Sequence, residues 1–186
     1  MRYEEKEVTL KNGDHVVLRS PLASDAEAML HYLRQTSEET DYMIRYPEEI
    51  EMSPDKLREE EEFLEMMADS PCNMMIAAFG GDELLANVGI NCVGERLKTR
   101  HRGSIGIAVL RKAWGQGLGR RLMEAAVWSA GDLGFELLEL GVMESNDRAR
   151  RLYLGMGFQE CGKMPEAFKL KDGGYMDEIL MYRRNK

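Results

Sequence analysis

Two stretches of this chain hold residues whose types and spacing could do chemistry. Residues 107–120 read Ile-Ala-Val-Leu-Arg-Lys-Ala-Trp-Gly-Gln-Gly-Leu-Gly-Arg. An apolar run ends there, a loop follows, and a helical pattern begins near Gly117. Gly115, Gly117 and Gly119 alternate with Gln116 and Leu118. Glycine lets backbone approach a ligand closely and take positive φ, so several amide N–H groups can converge on one anion. The new helix adds the positive end of its dipole. The unit from Trp114 to Arg120 therefore reads as a phosphate cradle. Arg111, Lys112, Arg120 and Arg121 add four positive charges with no acid between them. Arginines in a first helical turn oppose the dipole, a conflict that a bound polyanion relieves. A bare strand-to-helix turn needs fewer glycines. A dinucleotide fingerprint opening at Gly115-Gln116-Gly117 would need its third glycine at Arg120 and a place at the first strand of a βαβ series.

The second stretch, residues 145–158, reads Ser-Asn-Asp-Arg-Ala-Arg-Arg-Leu-Tyr-Leu-Gly-Met-Gly-Phe. On a helix, Asn146 and Tyr153 differ by only about 20° around the axis, with the small Ala149 on the same side. One helix thus presents an amide, a gap and a phenol in line. Taken singly, Asn146 reads equally as a helix N-cap and Tyr153 as core.

The elements that position these stretches follow from periodicity and punctuation. Val8–Leu10 and Val16–Leu18 flank Lys-Asn-Gly-Asp, a hairpin signal. Ser24 to Glu27 has the form of a capping box, predicting a helix to about residue 35. Residues 38–50 lack a period and read as a loop. Ser53-Pro54 opens an acidic helix running to about Ala68, with Leu57, Phe63, Leu64 and Met67 as its apolar side. Apolar runs at 74–79, 84–93 and 104–110 read as strands. A helix over 117–133, a strand over 137–142, a helix over 146–156 and two strands near 158–164 and 176–183 follow. The order predicts one α/β domain over residues 1–186: a mixed, mostly antiparallel twisted sheet flanked by helices on both faces.

Composition narrows the partners. Of the net charge of −8, all sits between Glu48 and Asp69, where ten acids meet two bases; 23 acids and 23 bases remain elsewhere. That balance argues against nucleic acid and is compatible with either a solvated helix face or attraction of a cationic substrate. No apolar run approaches the ~18 residues of a membrane span, and the charged start carries no signal-peptide pattern, so a cytoplasmic protein without membrane contact is expected. Cys72, Cys92 and Cys161 are odd in number and far apart, suggesting neither a disulfide framework nor a metal site.

Together the two motifs resemble the GNAT superfamily of N-acetyltransferases, in motif from about Ser104 to Phe158 and in element order throughout. The resemblance implies acetyl-CoA as acyl donor. Its pyrophosphate would lie on Trp114, Gly115, Gln116, Gly117, Leu118, Gly119 and Arg120. Backbone groups of Ile107, Ala108 and Val109, together with Asn146, would border the pantetheine arm. It also implies direct attack of an amine on the thioester, with the Val109 amide meeting the oxyanion and Tyr153 protonating the leaving thiolate, a slightly uphill step for a phenol of pKa ~10. Trp114 stands where the family loop often has Arg or Gln, and Ser104 where some members carry a Glu base. Glu38, Asp41 and Glu144 are the acids to examine for that role. The acceptor would be a primary amine of a small molecule or peptide, facing residues 40–46; Arg45 would suit a carboxylate-bearing one. Family habit admits a homodimer. Two other classes stand beside the enzyme: a non-catalytic acyl-CoA sensor with the same fold, and an interaction protein whose acidic helix docks a basic partner.

Overall fold

Strand β3 (Met74–Gly80) decides the layering of the computed structural model, which describes residues 1–185. Its side chains alternate with the period of two that a pleated strand imposes. Met74, Ile76 and Ala78 enter one core, Ala77 and Phe79 the other. Both faces of the sheet are therefore covered at this point. On the first face lie α3 (Leu118–Asp132) and α4 (Asp147–Gly155), through Leu118, Leu122, Met123, Ala126, Ala130 and Tyr153. On the second lie α1 (Ala26–Glu39) and α2 (Pro54–Asp69), through Met29, Tyr32 and Leu64.

The remaining strands are β1 (Lys6–Thr9), β2 (His15–Arg19), β4 (Glu83–Cys92), β5 (Arg102–Val109), β6 (Leu137–Met143), β7 (Gln159–Lys169) and β8 (Tyr175–Arg184). Their order across the sheet is β1-β2-β3-β4-β5-β6-β8-β7. Every neighbouring pair is antiparallel except β5 with β6, where the crossover through α3 forces parallel entry. The expected α/β architecture is the one observed.

Several local expectations change. The capping box at Ser24 does not form: the Asp25 carboxylate turns to the Arg19 guanidinium (2.6 and 2.9 Å) and to the Leu22 N–H (2.7 Å). Helix α1 runs on to Glu39, which places Glu38 in its last turn, ion-paired with Arg34 at 3.3 Å. Ser53 does cap α2, accepting from the Lys56 N–H. Phe63 is exposed, since it lies about 100° around the helix from the buried Leu64. β7 extends to Lys169, with its register broken between Met164 and Phe168.

Candidate active site

The parallel pair β5/β6 is joined at only three positions, Arg102–Leu137, Gly103–Leu138 and Ser104–Glu139. Beyond them the strands splay. Register with β4 shows which backbone groups this exposes. Leu110 N–H donates to Leu85 C=O, and Val93 N–H to Arg102 C=O. Positions 110, 108, 106 and 104 therefore point their backbone at β4, and positions 109, 107 and 105 point it away, toward the splay. The N–H and C=O of Ile107 and the N–H of Val109 thus face the splay without a strand partner. Ala108 does not: its carbonyl accepts from the Tyr32 hydroxyl at 2.7 Å, because its backbone faces the other way.

Tyr32 was not distinguishable in the sequence. Its hydroxyl also accepts from the Asn87 N–H (3.2 Å), so it stands between the two residues that face each other across the β4/β5 ladder. Burial pushes this phenol far above its ordinary range, and it serves as a fixed neutral strut under the strand that carries Val109.

At the end of β5 the chain enters the glycine loop. Gly115 and Gly117 take φ of +77° and +88°, values that L side chains rarely adopt. Gly117 is the N-cap of α3 and offers no side-chain cap. Among the described residues, no amide N–H from Gly115 to Arg120 finds an acceptor at hydrogen-bonding geometry; the first engaged is that of Arg121, to Gly117 C=O. Six consecutive donors at a helix N-terminus fit a diphosphate. Fully buried Leu118 anchors this turn in the core; truncating such a side chain costs about 2–5 kcal/mol.

Trp114 departs from expectation. Its indole N–H donates to Val109 C=O at 2.7 Å and its backbone N–H to Arg111 C=O at 3.1 Å. Both donors are engaged, so Trp114 ties the loop to the strand end instead of offering a donor to a ligand. The Arg148 guanidinium stacks on its ring at 4.1 Å. The four basic residues are not free of acids either. Lys112 pairs with Glu83, Arg120 and Arg121 both reach Glu124, and Arg111 donates its backbone N–H to the Glu39 carboxylate and its guanidinium to the Glu39 C=O. A further base comes from the first hairpin: Lys11 donates its N–H to Gln116 C=O at 3.1 Å, and its side chain crosses Gly117. Nothing in its local sequence marks Lys11; only the fold brings the hairpin to the loop.

On α4, Asn146 is the N-cap, its side-chain oxygen accepting from the Ala149 N–H at 3.1 Å. Tyr153 is 5 % exposed and packs against Phe158 with ring centroids 6.0 Å apart. Among the described residues its hydroxyl has no hydrogen-bond partner, yet Ser129 Oγ is the one sealed, unpartnered side-chain oxygen. The Tyr153 hydroxyl therefore keeps contact with solvent. Burial pushes it up to about 12.

The opposite wall comes from distant segments. The loop after α1 arches over the cleft mouth: Tyr42 hydroxyl donates to Ser145 C=O at 3.2 Å, and Tyr46 hydroxyl accepts from the Lys171 N–H at 3.0 Å. Lys171 also lies over the Tyr46 ring at 4.1 Å and pairs with Glu48. Arg45 lies near half-buried Glu60, whose carboxyl is raised by burial and lowered less by Arg45. Of the expected bases, Glu144 is held by Lys163 (3.0 Å to both oxygens) and Glu38 by Arg34. Asp41 is exposed, and Ser104 hydroxyl donates to Asn91 C=O at 3.5 Å.

A splayed parallel pair, free strand groups, a nest of unengaged amides and a facing phenol define an acyl-CoA-dependent acyltransferase. The chain belongs to the acetyltransferase (GNAT) family, whose model matches residues 30–158. An acetyltransferase of this family from Streptococcus pneumoniae is 28 % identical, with a TM-score of 0.84 over 91 % of this chain and 99 % of that one. The ribosomal-protein-alanine N-acetyltransferase of Brucella melitensis is 20 % identical, with a TM-score of 0.77 over 90 % and 98 %. A Salmonella typhimurium acetyltransferase solved with its cofactor acetyl-CoA is 16 % identical, with a TM-score of 0.75 over 92 % and 94 %. No curated protein sequence matches. The family uses acetyl-CoA, and the unengaged amides at 115–120 fit its diphosphate.

Proposed function

We propose that this chain is an N-acetyltransferase that moves acetyl from acetyl-CoA directly to a primary amine of a small molecule or peptide. The observation that carries this reading is the convergence on one cleft of the free amides at 115–120, the unpaired β5 edge and the Tyr153 hydroxyl.

Acetyl-CoA supplies an acyl group activated as a thioester. The amides of residues 115–120 hold the diphosphate. The N–H and C=O of Ile107 and the N–H of Val109 accept the amide-bearing arm as a sheet accepts a strand. The Val109 N–H faces the negative charge that builds on the carbonyl oxygen; one such donor is worth roughly 100- to 1,000-fold in rate. Tyr153, at about 12, remains protonated at neutral pH. Full transfer of its proton to a thiolate of pKa ~8.5 is uphill by about 5 kcal/mol. Its role is therefore to donate a hydrogen bond that stabilises the departing sulfur, not to complete the proton transfer expected of an ordinary phenol. Direct transfer agrees with the cysteines: Cys72 precedes β3, Cys92 ends β4 away from the splay, and Cys161 lies on β7, its thiol donating to Leu180 C=O.

Calorimetric titration of acetyl-CoA tests the cradle. Micromolar binding is expected, and Gly117→Trp should weaken it at least about tenfold, since a left-handed conformation alone costs about 1–2 kcal/mol for a residue with a Cβ. Binding absent at millimolar acetyl-CoA overturns the reading. Binding with no CoA release to any amine makes the chain a sensor.

A further inference from the structure

One carboxylate on the sheet beside the cleft has no partner among the described residues. Glu178, on β8, is half-buried and makes neither a hydrogen bond nor an ion pair among the described residues. Its acidic neighbours on the sheet and the loop after β6 are occupied: Glu144 and Asp177 share Lys163, Glu139 holds Arg102, and Glu160 holds Arg150.

Strand parity places Glu178 on the acceptor side. Ile179 and Met181 enter the core beneath α3, so Glu178 and Leu180 point to the opposite face. There Glu178 pairs with Met143 and lies diagonal to Gly141, near the end of β6 where the splay is widest. Gly141 lacks a side chain, and the Glu178 carboxylate fills that space: a methyl on Gly141 would meet its carboxyl carbon at 2.6 Å. Across the cleft on the same face, Gly106 is exposed, with nothing within 4 Å of where its Cβ would stand. The floor between β5 and β6 is thus bare of side chains at this level, and the carboxylate stands at its edge.

We propose that Glu178 receives the ammonium group of the acceptor and takes its proton. The inference rests on the N-acetyltransferase reading. The acceptor R–NH3⁺ gives one proton to the Glu178 carboxylate, which returns it to solvent. The nitrogen lone pair forms the C–N bond to the acetyl carbonyl carbon, and the C–S bonding pair leaves on sulfur. The second proton lost from nitrogen balances the one taken up by the CoA thiol. The charged groups on the elements around Glu178 are Glu139 with Arg102, Glu144, Lys163, Asp177 and, from the arch, Asp41 and Arg45.

The test uses the full chain, saturating acetyl-CoA and three probes: alanyl-alanine amide, spermidine and lysine. With whichever probe the wild type acetylates best, Glu178→Gln should lower kcat/KM for the amine about 100-fold at pH 7. That loss should shrink at pH 9.5, where more amine is neutral without help. The acetyl-CoA Kd and the Tm should not move. Gly141→Ala should reproduce the loss with an unchanged Tm, because it displaces only the flexible end of Glu178. Activity of Glu178→Gln within twofold of wild type at pH 7, or a parallel loss of acetyl-CoA binding or Tm, overturns the proposal and leaves N-acetyl transfer intact. A wild type that binds acetyl-CoA and acetylates no probe overturns that reading, and the role of Glu178 with it.

Discussion

On one side of the cleft, six consecutive amides from Gly115 to Arg120 present the binding surface. On the other, Tyr42 meets Ser145 across 103 residues of sequence and Tyr46 meets Lys171 across 125. The first side is local. Its shape is set by two positive-φ glycines and a helix start, so few substitutions preserve it and its chemistry suits one kind of ligand. The second is assembled from loop and hairpin tips whose side chains can change without disturbing the sheet. A fold that keeps its acyl donor and varies its acceptor needs this division: backbone for the constant partner, side chains for the variable one.

Three variants would sharpen or break that comparison. The largest effect is expected at the junction of the two sides. Tyr153→Phe should lower kcat about 100-fold or more while acetyl-CoA affinity changes little, because the lost group acts on the departing sulfur. Equal kcat in the two forms would remove Tyr153 from the chemistry. The raised phenol also sets a sign with pH. Its neutral form persists until about 12, so wild-type kcat should show no Tyr153-dependent fall below pH 11 in an alkaline rate profile.

A smaller effect is expected on the donor side. Trp114→Phe removes one hydrogen bond to Val109 C=O, worth about 1 kcal/mol. It should raise the acetyl-CoA Kd about fivefold through loosening of the loop. A change above about 100-fold would mean instead that the indole itself contacts the ligand. The smallest effect belongs to the acceptor side. The pair Tyr42→Phe and Tyr46→Phe frees the arch from Ser145 and Lys171, and should raise the amine KM about two- to fivefold, in line with two exposed hydrogen bonds. Acetyl-CoA binding by calorimetry should stay constant; a shared loss would show that the two sides are not independent.

Much of this molecule was readable before its structure. The strand and helix order, the mixed sheet and the α3 start depend on short-range periodicity and glycine placement, which act over a few residues. The place of Tyr153 on α4 was readable for the same reason, since helical spacing aligns it with Asn146 and Ala149. The misreadings arose where a local signal competed with a distant partner. Ser24 and Glu27 have the spacing of a capping box, but Asp25, held by Arg19 on β2, caps the Leu22 N–H instead and α1 starts only at Ala26. Trp114 sits in a phosphate loop, but Val109 claims its indole. Ala108 lies between two cleft residues, but ladder parity turns it to Tyr32. The four basic residues near the loop have no acid between them, yet Glu83, from a distant turn, pairs with Lys112, while Glu124, one turn along α3, reaches Arg120 and Arg121.

The sequence alone determined where backbone donors converge, because a glycine-rich turn into a helix fixes its own φ values and leaves its own first amides unpaired. It determined both apolar faces of the sheet, because β3 is an unbroken apolar run and a period of two sends its side chains to both sides. Only the tertiary structure decided which edge of β5 is free, since that depends on where pairing with β6 stops. It also decided that Lys11 crosses Gly117, that Tyr32 braces the strand and that Glu178 fills the space left by Gly141. Those contacts join residues far apart in the chain, and their geometry follows from register and packing, quantities that no local pattern of residue types encodes.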